Sequence, residues 1–201
     1  MGKSTATKRH YTMGARAATA RATRERIAEA AWRRFSEYPY ELVRLADIAS
    51  HAGVSVQTVH SVFGQKEDLF IAAWRHFAGE IVIHRDTAPP GDVKTAVRLL
   101  YDTYESSSDA ALRLVAQEER IPAVRKMTDG GRAYHRDWVG RTFAPLLAEV
   151  AGAARERRHV ELIVATDLLV WKLLRREMQL SRAAAERVVV EMIESIAKGG
   201  S

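Results

Sequence analysis

No cysteine occurs in the chain, which excludes a disulfide framework and any thiolate metal site. No apolar run is long enough to cross a bilayer. The opening stretch, MGKSTATKRHYTMGARAATA, is basic but lacks the apolar segment of a secretory signal. A cytoplasmic location is the expectation. Proline is scarce, at five in 201 residues, and neither strand alternation of any length nor an internal repeat is present. Also missing are a glycine-rich phosphate loop after a strand, a Gly-x-Ser-x-Gly elbow and paired histidines within one helical turn. The serines that remain as nucleophiles lie in turns and caps. Neither an enzyme, nor a cofactor, nor a bound metal is expected.

What the chain does have is apolar residues at helical spacing, 47% of the total, enough for a substantial core. An all-α fold follows. The net charge of +6 favours polyanionic partners without naming one. Its distribution is uneven: Lys3, Lys8, Arg9, Arg16, Arg21, Arg24 and Arg26 precede the first apolar helix against Glu25 alone. Residues 1–18 read as a basic flexible arm. Such an arm either folds against phosphates or enters the minor groove, or it is a solvated tail adding non-specific attraction. Both readings stand at this level.

The chain is organised around residues 42–69, LVRLADIASHAGVSVQTVHSVFGQKEDL. Leu45, Ile48 and Ala49 share one face of a short helix. Gly53 suits the turn that ends it, because glycine takes positive φ without a Cβ penalty. Ser55 stands where an N-cap is wanted, and Val59 and Val62 continue the buried side of a second helix. Val56, Gln57, Thr58, His60 and Ser61 point elsewhere. A short helix with an apolar back and small polar residues at its start suits the major groove, so the pair reads as a helix-turn-helix.

The ordered set Asp47-Ile48-Ala49, Ala52-Gly53-Val54-Ser55, Thr58, Phe63 and Lys66-Glu67-Asp68-Leu69 resembles the N-terminal signature of the TetR family of bacterial repressors, over residues 24 to 75. Several positions depart from the family pattern. His60, Ser61 and Val62 replace the usual aromatics, Pro39 a glycine, Arg44 a threonine, and Gln65 a serine or threonine. Arg44 and His60 offer a charge and a ring nitrogen in their place. The resemblance implies a sequence-specific transcriptional regulator, by the family's habit a repressor, that binds a palindromic double-stranded DNA operator as a homodimer. A small-molecule effector would release it. The rival reading is a sequence-independent architectural DNA-binding protein, given the basic arm. Base contacts are expected from Ser55, Gln57, Thr58 and Ser61, with Val56 against a thymine methyl. Phosphate contacts are expected from Arg44, His60, Gln65 and Lys66.

The remaining chain divides at turn signals. A helix–turn–helix domain at 19–65 follows the arm, with its first helix starting near Thr19 or Thr23 and ending near Tyr38, before Pro39. A connecting helix covers 66–86, and a helical effector-binding and dimerisation domain 87–201. His76, Glu80 and His84 recur every fourth residue, but span too many turns for one small ion. Thr87-Ala88-Pro89-Pro90-Gly91 is the clearest break. A helix from Val93 is expected to end at Ser106-Ser107-Ser108, with another beginning at Asp109. Further turns are expected at Ile121-Pro122 and Thr128-Asp129-Gly130-Gly131, then a helix over 132–154 kinked or divided at Pro145. The last helices are expected at 157–179 and 181–197. Following the family, Trp74, Phe77, Tyr101, Tyr104, Tyr134 and Trp138 are candidates for an effector pocket. Leu162, Thr166, Leu169, Leu173, Val188 and Met192 are candidates for a four-helix dimer interface.

Overall fold

The computed structural model describes the backbone of residues 5–199 and the side chains of residues 16–199. Lys3, Lys8 and Arg9 of the expected arm therefore lie outside the described side chains. Ten α-helices and no strand occur among the described residues, in two compact units of residues 1–79 and 80–201. The division falls inside the helix expected to connect the two parts. No helix among the described residues is long and apolar enough to cross a membrane.

The first unit begins with α1, Thr5–Glu37, which starts well before the expected Thr19. Alanine and arginine, both strong helix formers, dominate residues 15–26, and no proline interrupts the helix before or after them. It stops ahead of Pro39, and a single 3₁₀ turn, Tyr40–Leu42, leads into α2, Leu45–His51. Next come α3, Val56–Phe63, and α4, Lys66–Arg85, whose last turns belong to the second unit. The core of this unit is apolar. Ile27, Ala31 and Phe35 of α1 are buried with Ile48, Ala49, Val59, Leu69, Phe70 and Ala73. Phe35 meets Phe70 edge to face at 4.8 Å, and Tyr40 meets both rings. Arg34 reaches from α1 to Asp47 of α2 at 3.4 Å.

In the second unit α5 spans Val93–Val115 without a break, against the expected end at the serine triplet. The hydroxyls of Ser106 and Ser107 donate to the Thr103 carbonyl, at 3.0 and 2.7 Å. They bond back within the helix instead of opening it. Helix α6, Pro122–Thr142, likewise runs through Asp129-Gly130-Gly131. Two glycines cost about 1 kcal/mol each. Val124 and Met127 before them, and Trp138 and Val139 after, keep one face buried, at about 1.5–3 kcal/mol per large apolar side chain. Burial outweighs propensity. Pro122 sits in the first turn, where its missing N–H costs nothing.

Pro145 divides the following helix, as expected: α6 ends at Thr142 and α7, Ala144–Ala148, carries the proline in its first turn. The single helix expected over 157–179 is instead α8, Gly152–Ala165, and α9, Leu168–Lys172, which widens into a π turn over Leu173–Glu177. Asp167 causes the break, since its carboxylate accepts the Leu169 N–H at 2.8 Å and starts a new helix. Ser181 caps α10, Arg182–Lys198, by accepting from Ala184 N. Tyr101, Trp138, Phe143, Leu147, Leu162 and Trp171 centre the core of this unit. Arg158 is buried as well. It donates to the carbonyls of Leu146 and Ala197, at 2.6 and 2.8 Å, and to Glu149 at 3.1 Å, tying α7, α8 and the end of α10 together.

Candidate nucleic-acid interface

Helix α2 ends in a left-handed residue, Gly53 with φ 65°. The Val54 N–H donates to the Ala49 carbonyl at 3.0 Å and the Gly53 N–H to that of Ser50 at 3.2 Å, the paired bonds of a Schellman end. A Cβ at Gly53 would meet no atom within 4 Å, so the backbone angle, and not crowding, requires glycine here. Two residues later Ser55 Oγ accepts the Thr58 N–H at 3.1 Å and starts α3. Val59 and Phe63 fasten this helix from behind. Its outer face presents Val56, Gln57, His60 and Ser61, all exposed.

The side chains expected to read bases thus separate into two groups. Ser55 and Thr58 bond each other through their hydroxyls, at 2.9 Å, besides the cap. Their chemistry is directed at forming the helix start. Gln57, Ser61 and Val56 have no such commitment. His60 donates through Nδ1 to the Gly64 carbonyl at 2.9 Å, which fixes the ring and leaves Nε2 as the nitrogen free to face outward. A carbonyl can only accept, so the tautomer follows from the partner.

Around α3 lie the candidate phosphate contacts. Arg44 occupies the position before α2 with extended backbone and an exposed side chain. Gln65 is exposed, and its backbone N–H donates to Asp68 Oδ2 at 3.3 Å, which caps α4. Lys66 is less free than the sequence implies. Its ammonium donates to the Glu41 carbonyl at 3.4 Å and lies 4.7 Å from the Tyr40 ring centre. Burial lowers its pKa, while the Glu41 charge opposes that. Arg24 was not singled out as a site residue by sequence. From α1 it donates to the Val62 carbonyl at 2.9 Å and covers the Phe63 ring at 4.3 Å. A cation there satisfies the carboxyl end of α3. Its place in the arginine-rich first helix was visible, but its partner, thirty-eight residues on, was not.

The effector candidates fall in both units. Trp74 and Phe77 pack with Trp32 in the first, at ring separations of 5.5 and 4.4 Å. The other four belong to the second. There the Tyr104 hydroxyl donates to the Thr166 carbonyl at 2.9 Å, Trp138 Nε1 to that of Arg85 at 3.1 Å, and the Tyr134 hydroxyl to Asp86 at 3.2 Å. The Tyr101 hydroxyl is buried with no partner. Burial pushes the Tyr104 hydroxyl up to about 12, against the opposing Arg85 charge. Among the dimer candidates, Leu162 and Thr166 are corrected: both are wholly buried in their own unit, Leu162 within its apolar core and Thr166 with its hydroxyl donating to the Leu162 carbonyl at 2.7 Å. Leu169 and Leu173 are exposed, and Val188 and Met192 are half-buried. Val160 and Val164, not singled out beforehand, are exposed with them. His76 faces Glu29 at 3.7 Å and His84 faces Asp102 at 3.3 Å. No group of three metal-ligating side chains occurs among the described residues.

Residues 27–73 match the sequence model of the family described as bacterial regulatory proteins, tetR family. That span covers the helix-turn-helix and its supports on α1 and α4. The chain is 37% identical over 70 residues to the HTH-type transcriptional regulator YezE of Bacillus subtilis (strain 168), a match covering 33% of this chain and 36% of that protein. It therefore spans about a third of that relative's length. The fold resembles a transcriptional regulator from Rhodococcus sp. Rha1, with a TM-score of 0.67 at 19% identity over 88% of this chain and 96% of the other. It also resembles a TetR-family regulator from Streptomyces coelicolor A3, with a TM-score of 0.53 at 21% identity over 88% and 95%. At such identities the likeness speaks for the fold alone. The capped α2–turn–α3 hairpin, the family match that covers it and the all-helical architecture carry one conclusion: residues 27–73 form a helix-turn-helix head of the bacterial tetR family of regulatory proteins.

Proposed function

We propose that the chain is a sequence-specific DNA-binding transcriptional regulator, not an enzyme, that grips a palindromic operator as a homodimer and is released by a small-molecule effector. The observation that carries this reading is the outer face of α3, where Gln57, Val56 and Ser61 stand exposed on a helix fixed by Val59 and Phe63. Gln57 can bond adenine through both amide atoms, and Val56 can meet a thymine methyl. Arg44, His60, Gln65 and Lys66 hold the phosphates on either side. Ser55 and Thr58 keep the helix start in register. One such helix covers too little DNA for tight binding, so two half-sites must add their free energies.

A second copy would seat on the exposed aliphatic stripe of Val160, Val164, Leu169 and Leu173, flanked by Val188 and Met192. The second unit would hold the effector. A ligand that prefers the conformation with wrongly spaced heads lowers operator affinity by the ratio of its affinities for the two states. Helix α4 contributes residues to both units and is the natural lever. Repression is the expected sign of action. Selection of bound fragments from random DNA tests the reading: a twofold-symmetric motif with half-sites about one helical turn apart is expected. Fragments without a shared motif, held equally well at low salt and lost at high salt, would instead mark an architectural binder.

A further inference from the structure

This inference rests on the reading of the second unit as an effector domain and names the chemistry of what it takes. Arg85 closes α4 and is only 5% exposed. Among the described residues no carboxylate oxygen lies within 4.0 Å of its guanidinium. Asp86, next in sequence, is turned to Arg141 at 3.0 Å and to the Tyr134 hydroxyl. The guanidinium instead meets neutral groups. Its centre lies 4.9 Å from the Tyr104 ring and 5.8 Å from the Trp138 ring, and Nε donates to Thr103 Oγ1 at a long 3.4 Å. Aromatic faces attract a cation but do not neutralise it, and buried charges are ordinarily paired. Here the partner is missing.

A second observation comes from the same ring. His135, 9% exposed, stacks on Trp138 at 5.9 Å. Its Nε2 lies 3.1 Å from Thr166 Oγ1, and that hydroxyl already donates to the Leu162 carbonyl at 2.7 Å. The imidazole is therefore the donor at Nε2, and Nδ1 carries a buried lone pair with no partner. Trp138 thus has an unpaired cation beside it and an unpaired acceptor against it.

We infer that the interior of the second unit binds a small organic carboxylate that also carries a hydroxyl or N–H, its carboxylate on Arg85 and its donor on His135 Nδ1. Such a ligand supplies the charge and the proton the site lacks. Guanidinium and carboxylate match in planar, bidentate geometry.

Calorimetry and thermal shift on the full chain, with acetate, decanoate, benzoate, salicylate and mandelate each paired with its neutral amide, test this. At least one acid is expected to bind about tenfold more tightly than its amide. Arg85→Met should erase that preference with the far-UV spectrum retained, and Arg85→Lys should recover part of it. His135→Phe should weaken the hydroxy acids more than benzoate. Amides binding as well as acids, Arg85→Met leaving acid binding unchanged, or no binding by any acid would each overturn the assignment. Operator binding separates this from the broader reading. Neutral compounds that bind and lower operator affinity would sink the carboxylate assignment alone. Acids that bind through Arg85 without changing operator affinity would leave the site standing and remove its role as an effector site.

Discussion

Arg158 and Arg85 are both buried in the second unit, yet replacing each by methionine should have opposite consequences. Methionine keeps most of the stem and its packing, so the change isolates the guanidinium. Arg158 donates to two main-chain carbonyls and to Glu149. Glu149 is more than half exposed, so that ion pair adds little. The two carbonyls matter more. A hydrogen bond from a charged donor contributes about 1.5–3 kcal/mol, and an acceptor left buried and bare costs about 1–3 kcal/mol. Arg158→Met should therefore destabilise by about 2–4 kcal/mol. Arg85 makes one long hydrogen bond and two ring contacts. These return about 2 kcal/mol against a desolvation penalty of several kcal/mol. Arg85→Met should be neutral or stabilising by about 1–2 kcal/mol. Urea unfolding followed by tryptophan emission reads both, since Trp138 and Trp171 lie in this unit's core. A fall of about 1–2 M in midpoint is expected for the first variant, and no fall for the second. Equal losses from the two substitutions would refute the distinction between a satisfied and an unsatisfied buried arginine.

Burial, with help from the Arg85 charge, lowers the His135 pKa from 6.5 to about 4. Its folded value lies below its unfolded one, so its contribution is complete above pH 6.5 and is lost as pH falls towards 4. About 3 kcal/mol should disappear over that window, and His135→Phe should flatten the slope of urea midpoint against pH. Gln57→Ala should cost about 1–3 kcal/mol at one base pair and relax preference there. Arg44→Ala should weaken all sequences alike and lower the log–log salt slope by about one, and equal losses on all DNA from both changes would refute this division of labour. Gly53→Ala should destabilise the first unit by about 1–2 kcal/mol through its left-handed backbone alone, a cost seen in thermal melts without any change of DNA motif. Val164→Glu should convert a sedimenting dimer to monomer and weaken operator binding while leaving the fold intact, because Val164 is half exposed within its own chain.

The hairpin was legible because its signals are local. Gly53, Ser55 and the buried Ile48, Ala49 and Val59 each act within one or two turns, and the structure uses them as the spacing implies. Helix continuity in the second half was less legible. Serine triplets and Asp-Gly-Gly read as breaks, but back-bonding at Ser106 and Ser107 and the buried face around Trp138 override them. Conversely, one aspartate with no proline or glycine beside it, Asp167, ended a helix that periodicity would have continued. Periodicity also left the face of Leu162 and Thr166 open to either the chain's own core or a second copy, and the structure buries both within their unit. Partnership across distance was the least legible. Arg24 on the Val62 carbonyl, thirty-eight residues away, depends on geometry that no window of sequence contains.

The two units handle buried polarity differently, and the contrast bears on what each is for. In the first, the buried side-chain nitrogen without a partner among the described residues, Arg34 Nε, belongs to a guanidinium already facing Asp47 and the Tyr38 ring. A unit that must hold α3 at one angle is best built from closely packed apolar side chains. The second encloses Arg85 without an acid, a neutral His135 with an idle nitrogen and an unpartnered Tyr101 hydroxyl. Each lowers stability, and a helical bundle serving only as a dimer scaffold would gain by replacing them with leucine or phenylalanine. Departures from good packing that persist in a core are where function is expected to reside. A ligand that completes these groups would stabilise the conformation containing them, and a conformation stabilised in that way can be coupled to the reading heads.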